Sequence, residues 1–125
     1  MDVLSMNLKL DGYSIDCART GNKALEMINN VYDLIVLDIM LPDVNGFDIC
    51  ETIRKKSDIP VLFISAKGTS ADRIKGLTIG ADDYLVKPFH LEEFLLRVKI
   101  LITRHSKKNK LTIDSIFTFG TSFSI

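Results

Sequence analysis

The chain carries no excess of charge of either sign: 16 Lys and Arg balance 16 Asp and Glu over 125 residues. A zero net charge removes any bulk electrostatic pull toward nucleic acid or an anionic membrane. Cysteine is scarce as well. Cys17 and Cys50 lie far apart and form no metal or redox pattern, which fits a reduced cytosolic setting with both as small apolar fillers. No apolar run approaches the roughly 18–20 residues that a membrane span needs. The opening Met1-Asp2-Val3-Leu4-Ser5-Met6 lacks the basic start and long apolar centre of a signal peptide. There are no internal repeats and no low-complexity segment.

What is present is ordinary for one soluble globular domain: 46% hydrophobic and 26% charged residues. The charge is not evenly spread. Residues 1–103 hold 12 Lys/Arg against 15 Asp/Glu, whereas residues 104–125 hold four basic residues against Asp114. That break sets a domain edge near 104, with Arg104 to Lys110 as a basic linker.

Periodicity divides the chain into alternating elements. Val3, Leu4, Met6 and Leu10, with Asp2 as a cap, predict a short helix ended by Asp11-Gly12. Tyr13 to Cys17 alternates as a strand, and Asn22 to Asn30 has helical spacing. Tyr32 to Leu37 is a buried strand, Pro42 to Gly46 a loop, and Phe47, Cys50 and Ile53 mark a helix ending at Arg54-Lys55-Lys56. Ile59 to Ile64 predicts a second buried strand with Pro60 at its entrance. A helix over Ala71 to Thr78 closes at Gly80, and Tyr84-Leu85-Val86 forms a third strand stopped by Lys87-Pro88. Leu91, Phe94, Leu95, Val98, Leu101 and Ile102 form one apolar helical stripe. Such alternation predicts an α/β fold with a parallel sheet covered on both faces.

Ligands of open parallel sheets sit beyond the carboxyl ends of the strands. Three consecutive buried strands here end in Asp38, Ser65 and Lys87. A carboxylate, a hydroxyl and an ammonium at one sheet edge suit phosphoryl transfer to the carboxylate, the other two holding the phosphoryl oxygens. Ala66 leaves room for the group. Each residue alone has a plainer reading: Asp38 as a loop or cap residue, Ser65 as a turn residue, Lys87 as a solvated residue before a proline. Their coincidence on three successive strand ends is what points to an anion site.

The motifs then resemble a known family. Asp33 to Gly46 (DLIVLDIMLPDVNG) resembles the acceptor block of response-regulator receiver domains, Leu62-Phe63-Ile64-Ser65-Ala66 their switch-hydroxyl strand, and Gly80 to Phe89 (GADDYLVKPF) their last strand and Lys-Pro turn. The match runs from about residue 1 to 104. It implies a flavodoxin-like (CheY-like) doubly wound parallel sheet in which Asp38 takes phosphate from a sensor histidine kinase. By the same resemblance Ser65 and Lys87 contact the phosphoryl group, Tyr84 is a rotating switch aromatic, and the Lys87–Pro88 bond is cis. Asp38 and the backbone carbonyl of Met40 would be Mg²⁺ ligands. The receiver would be a phosphoacceptor taking part in its own phosphotransfer, not a stand-alone enzyme.

The Ala81-Asp82-Asp83-Tyr84 block is similar to the OmpR/PhoB branch, whose receivers control winged-helix DNA-binding domains. Its output face uses the helix near Ala71, the strand at Tyr84 and the last helix. There Arg73 with Glu93, and Asp83 with Arg97, match inter-subunit ion pairs of a homodimer; the alternative is a set of exposed charges worth little each. Thr78 stands where an acidic residue is frequent, so one pair is missing.

Two parts of the family pattern are not found. A strand ending in two acidic residues, which hold the Mg²⁺, normally precedes the first helix and occupies the centre of the sheet. Without it, the strand at Tyr13 is expected to lack its neighbour and two sheet edges to stand open. Leu111 to Ile125 resembles the opening strands of the effector domain, without the helix that enters a DNA groove. The expectation is an internal fragment or mis-started product of a longer regulator, with a receiver over 1–103, a linker over 104–110 and the start of a winged-helix domain over 111–125. A chain borrowing a strand from a second copy is the less favoured alternative. Two other functions compete: a degenerate receiver serving only as a dimerisation module, and a phosphatase of the haloacid-dehalogenase type. The latter needs a second Asp two positions after the first, where Met40 stands.

Overall fold

A computed structural model describes residues 3–27, 32–39, 45–66, 68–105 and 115–119. Ten elements follow in order: α1 (Val3–Leu10), β1 (Ser14–Ala18), α2 (Gly21–Met27), β2 (Leu34–Asp38), α3 (Gly46–Arg54), β3 (Val61–Ser65), α4 (Ser70–Ile79), β4 (Asp83–Val86), α5 (Leu91–His105) and β5 (Ser115–Phe119). All five strands run parallel in the order β1-β5-β2-β3-β4.

β2 and β3 are buried along their whole length, which is why both read as unbroken apolar runs. Alternate residues feed two cores. Ile35, Leu37 and Phe63 face one core with Ala24 of α2 and Phe47, Ile49 and Ile53 of α3. Leu34, Val36, Leu62 and Ile64 face the other, with Leu4 and Leu8 of α1 and Phe94, Val98, Leu101 and Ile102 of α5. The helix ends carry their own signals. Asn45 caps α3 by accepting from the Phe47 N–H at 2.8 Å, and Thr69 caps α4 by accepting from the Asp72 N–H at 3.1 Å. α4 ends at Gly80, whose φ of 124° suits glycine.

The structure departs from the sequence expectation at the centre of the sheet. The place between β1 and β2 is not open. Ser115–Phe119 fills it, pairing Ser14 through Ala18 on one side and Leu34 through Leu37 on the other. This segment was expected to begin a separate winged-helix domain; its described residues belong to this sheet instead. The physical reason is the slot itself: two adjacent edges of unpaired N–H and C=O groups, and a β-branched and aromatic segment able to satisfy both. Ile116 and Thr118 are buried there, Ile116 within the α1–α5 core. The last helix also runs to His105, past the expected linker start at 104. The expected cap Asp2, the remainder of the linker, and residues 111–114 and 120–125 lie outside the described residues.

Candidate functional site

Asp38, Ser65 and Lys87 come together at the carboxyl edge through the strand register. Asp38 lies beside Ile64 on β3, so Ser65 stands one residue further out; Ser65 lies beside Val86 on β4, so Lys87 stands one further still. Two backbone bonds fix this staircase: Ile39 N–H donates to the Ile64 carbonyl at 3.3 Å and Lys87 N–H to the Ser65 carbonyl at 2.9 Å. The Lys87–Pro88 peptide is cis, as the resemblance implies.

The Lys87 ammonium donates to Asp38 Oδ2 at 3.4 Å. Asp38 is 7% exposed, enough to be reached from solvent while remaining in low-dielectric surroundings. Ser65 is fully buried, and its hydroxyl is hydrogen-bonded to the Tyr84 hydroxyl. Burial pushes the Tyr84 phenol above its usual range, an effect that its bond to Ser65 partly opposes. The Tyr84 ring packs edge-on against Phe63 at 6.0 Å. A line of contact therefore runs from Ser65 to Tyr84 and on to α4. A carboxylate nucleophile, one ammonium and one hydroxyl are the parts needed to accept a phosphoryl group and hold its oxygens.

Further residues shape the site. A Cβ on Gly46 would lie 2.9 Å from both the Asp38 carbonyl oxygen and Ile39 Cα. Only glycine lets the start of α3 close against the acceptor's own backbone, where Gly46 N–H donates to the Ile39 carbonyl. A Cβ on Gly76 would meet the Phe63 and Tyr84 rings at 3.0 Å, so α4 presses on the tyrosine through a residue without a side chain. At the opposite edge, Arg54 donates to the carbonyls of Gly80 (2.8 Å) and Ile59 (2.6 Å) and to Asp82 Oδ2 (2.8 Å). The same Asp82 oxygen accepts from the Val61 N–H at 2.8 Å. The first Asp of the Ala-Asp-Asp-Tyr block thus pins β4 to β3.

The four residues expected to pair across a dimer lie as follows in one copy. Arg97 binds Asp83 at 2.8 Å and Glu93 at 3.6 Å within the same chain. Arg73 sits exposed on α4 beside Ile74 and Leu77, which are 63% and 49% exposed.

The family model of the response regulator receiver domain matches residues 1–99. The chain belongs to the response regulator receiver domain family. Among solved structures, the receiver domain of the Francisella response regulator 1452 is 37% identical, with a TM-score of 0.78 over 82% of this chain and 87% of that one. The non-phosphorylated HemR receiver domain from Leptospira biflexa is 39% identical, with a TM-score of 0.77 over 86% of each chain. The beryllofluoride-activated NtrC4 receiver domain dimer is 33% identical, with a TM-score of 0.76 over 82% of this chain and 87% of that one. As a receiver, this chain is a component of phosphorelay signalling with a CheY-like fold.

Receiver domains generally bind Mg²⁺ at the phosphorylated site. Mg²⁺ is held through carboxylates and other oxygens in near-octahedral geometry. The described residues do not supply such a set: no group of three His, Cys, Asp or Glu among them can hold a metal ion. The strand beside β2, Ser115–Phe119, contains no acidic residue. Asp38 has Lys87 beside it instead. Met40, the expected carbonyl ligand, lies outside the described residues.

Proposed function

We propose that this receiver accepts a phosphoryl group on Asp38 from a sensor histidine kinase and passes the change through Tyr84 to an α4–β4–α5 output face. The observation that carries the reading is the ammonium of Lys87 held 3.4 Å from the Asp38 carboxylate, with Ser65 on the strand end between them. An Asp38 oxygen attacks phosphorus, the bond to the donor nitrogen breaks, and an acyl phosphate forms. Lys87 then holds a phosphoryl oxygen in place of the carboxylate charge. Ser65 is drawn toward another, away from its bond to Tyr84. The chain acts as acceptor and as part of the catalyst for its own modification, not as a free-standing enzyme.

The output reading is a homodimer that serves a DNA-binding transcription regulator of the OmpR/PhoB kind. It is supported by the Ala81-Asp82-Asp83-Tyr84 block and by the exposed Ile74 and Leu77 on α4. Arg97, Asp83 and Glu93 are already paired in one copy, so exchanging them for inter-subunit pairs gains little, under about 1 kcal/mol each. Ile74 and Leu77 are the better source of dimer affinity. Among the described residues no helix is long and apolar enough to cross a membrane; a cytosolic place for the protein fits the reading.

Incubation with a small phosphodonor tests the acceptor. One phosphoryl group is expected per chain, absent in Asp38→Asn, with a slow rate that chelating Mg²⁺ changes little. Labelling that survives in Asp38→Asn, or a rate that collapses on chelation, contradicts the site as drawn.

A further inference from the structure

β5 follows every other described element in the sequence, yet it stands inside the sheet. Among the described residues, β1 has no strand partner except β5. The Thr118 hydroxyl donates toward the Asp16 carbonyl across a separation of 102 residues. Among the described residues the slot between β1 and β2 is filled by β5 alone, and parallel strand edges accept any complementary strand.

We propose that the slot between β1 and β2 is a strand-acceptor site that a second copy of this chain can fill with its own Ser115–Phe119, so that two copies exchange β5. Every pairing is the same whichever copy supplies the strand: Ser14 to Ser115 through Ala18 to Phe119, and Leu34 to Ile116 through Leu37 to Phe119. The buried contacts of Ile116 and Thr118 are likewise unchanged. Only the tether differs. Nine residues, 106–114, join α5 to β5, and they open with Ser106-Lys107-Lys108-Asn109-Lys110, five polar residues. Strand exchange of this kind costs little in contacts because no contact is new. What opposes it is the effective concentration of the tethered strand, about millimolar for a short connection. Closed single copies dominate in dilute solution, and exchanged pairs accumulate as chain concentration approaches that value during folding.

The register supplies its own probe. Cys17 and Thr118 are partners on adjacent strands, with Cys17 Sγ 2.9 Å from the Thr118 hydroxyl. Thr118→Cys in the full chain sets two thiols side by side, within the reach of a disulfide. The variant is refolded at about 10 μM and at about 1 mM, concentrations well below and near the tethered value, then oxidised and mapped by mass spectrometry without reduction. The expected result is an intrachain bond to Cys17 at the low concentration and a rising share of interchain bonds to Cys17 at the high one. Intrachain bonds alone at both concentrations overturn the proposal, and so does the absence of any bond to Cys17. Dimers that persist when Cys17→Ser is added also overturn it, because they join the two introduced thiols. A second measurement needs no substitution in the strand. Light and isotopically heavy copies of the unmodified chain, refolded together at high concentration, should give mixed dimers that outlast dilution by hours. Arg97→Glu, on the separate α4–β4–α5 face, should leave them intact. Failure to form slowly exchanging mixed dimers, or their loss in Arg97→Glu, counts against strand exchange and leaves the acceptor reading of Asp38 unaffected.

Discussion

Ile116→Ala is the sharpest probe of how the sheet is completed. Ile116 is fully buried, lies between Ile15 and Leu34 in the register, and shares a core with Leu4, Leu8, Phe94 and Val98. The change removes three carbons, worth about 0.8 kcal/mol each in transfer free energy. The cavity left between two packed strands cannot collapse freely and adds to that loss. Together they give about 3 kcal/mol, within the range for such truncations. A domain of this size has a total stability of about 5–15 kcal/mol, so the loss is a large share. Urea denaturation followed by far-ultraviolet circular dichroism at low protein concentration reads it directly. With a slope of about 1–3 kcal/mol per molar urea, the midpoint should fall by about 1 M or more. Leu10→Ala, at an 81% exposed position, is the control and should change stability by about 0.5 kcal/mol or less. If Ile116→Ala behaves like Leu10→Ala, Ser115–Phe119 is not a central strand and the described sheet is wrong.

Other outcomes follow from the same contacts. Arg54→Ala should cost about 2–4 kcal/mol in the same denaturation assay, mostly from the hydrogen bonds to the Gly80 and Ile59 carbonyls. The half-exposed pair with Asp82 adds less. Gly46→Ala should cost about 1–3 kcal/mol, since its Cβ collides with the Asp38 backbone, and it should slow phosphoryl labelling of the folded fraction. Burial raises the Tyr84 phenol above its ordinary value. The neutral form is therefore the one the fold favours: its contribution is full below the unfolded value and is lost as pH rises through the folded one. Stability should fall more steeply on the alkaline side in the parent than in Tyr84→Phe, measured by denaturation from pH 9 upward.

Much of this fold was legible in local pattern. The unbroken apolar runs Leu34 to Leu37 and Val61 to Ile64 belong to strands buried on both faces, and the stripe from Leu91 to Ile102 is the buried face of α5. The meeting of Asp38, Ser65 and Lys87 followed from strand ends alone, because a parallel sheet brings all its carboxyl ends to one edge. Partner choice was not legible. Ser115 to Phe119 reads as a strand from its β-branched and aromatic residues, but nothing within it names β1 and β2, about 100 and about 80 residues away, as neighbours. Arg54 reads as one of three basic residues closing a helix; its acceptors lie in two other segments, at Ser57 and Ile59 before β3 and at Gly80 and Asp82 before β4. Asp83 and Arg97 also meet within one chain, across the 14 residues that separate them around the β4–α5 turn.

Asp38 stands or falls as the acceptor of a site completed by Ser65 and Lys87 on where the phosphoryl group lands. The most direct test is to phosphorylate the chain with a small donor, reduce the acyl phosphate with borohydride, and map the peptides. Reduction turns the phosphorylated aspartate into homoserine. Homoserine is expected at position 38 and at no other carboxylate, in lower yield in Lys87→Gln. Homoserine at another position, or none after prolonged incubation, contradicts it.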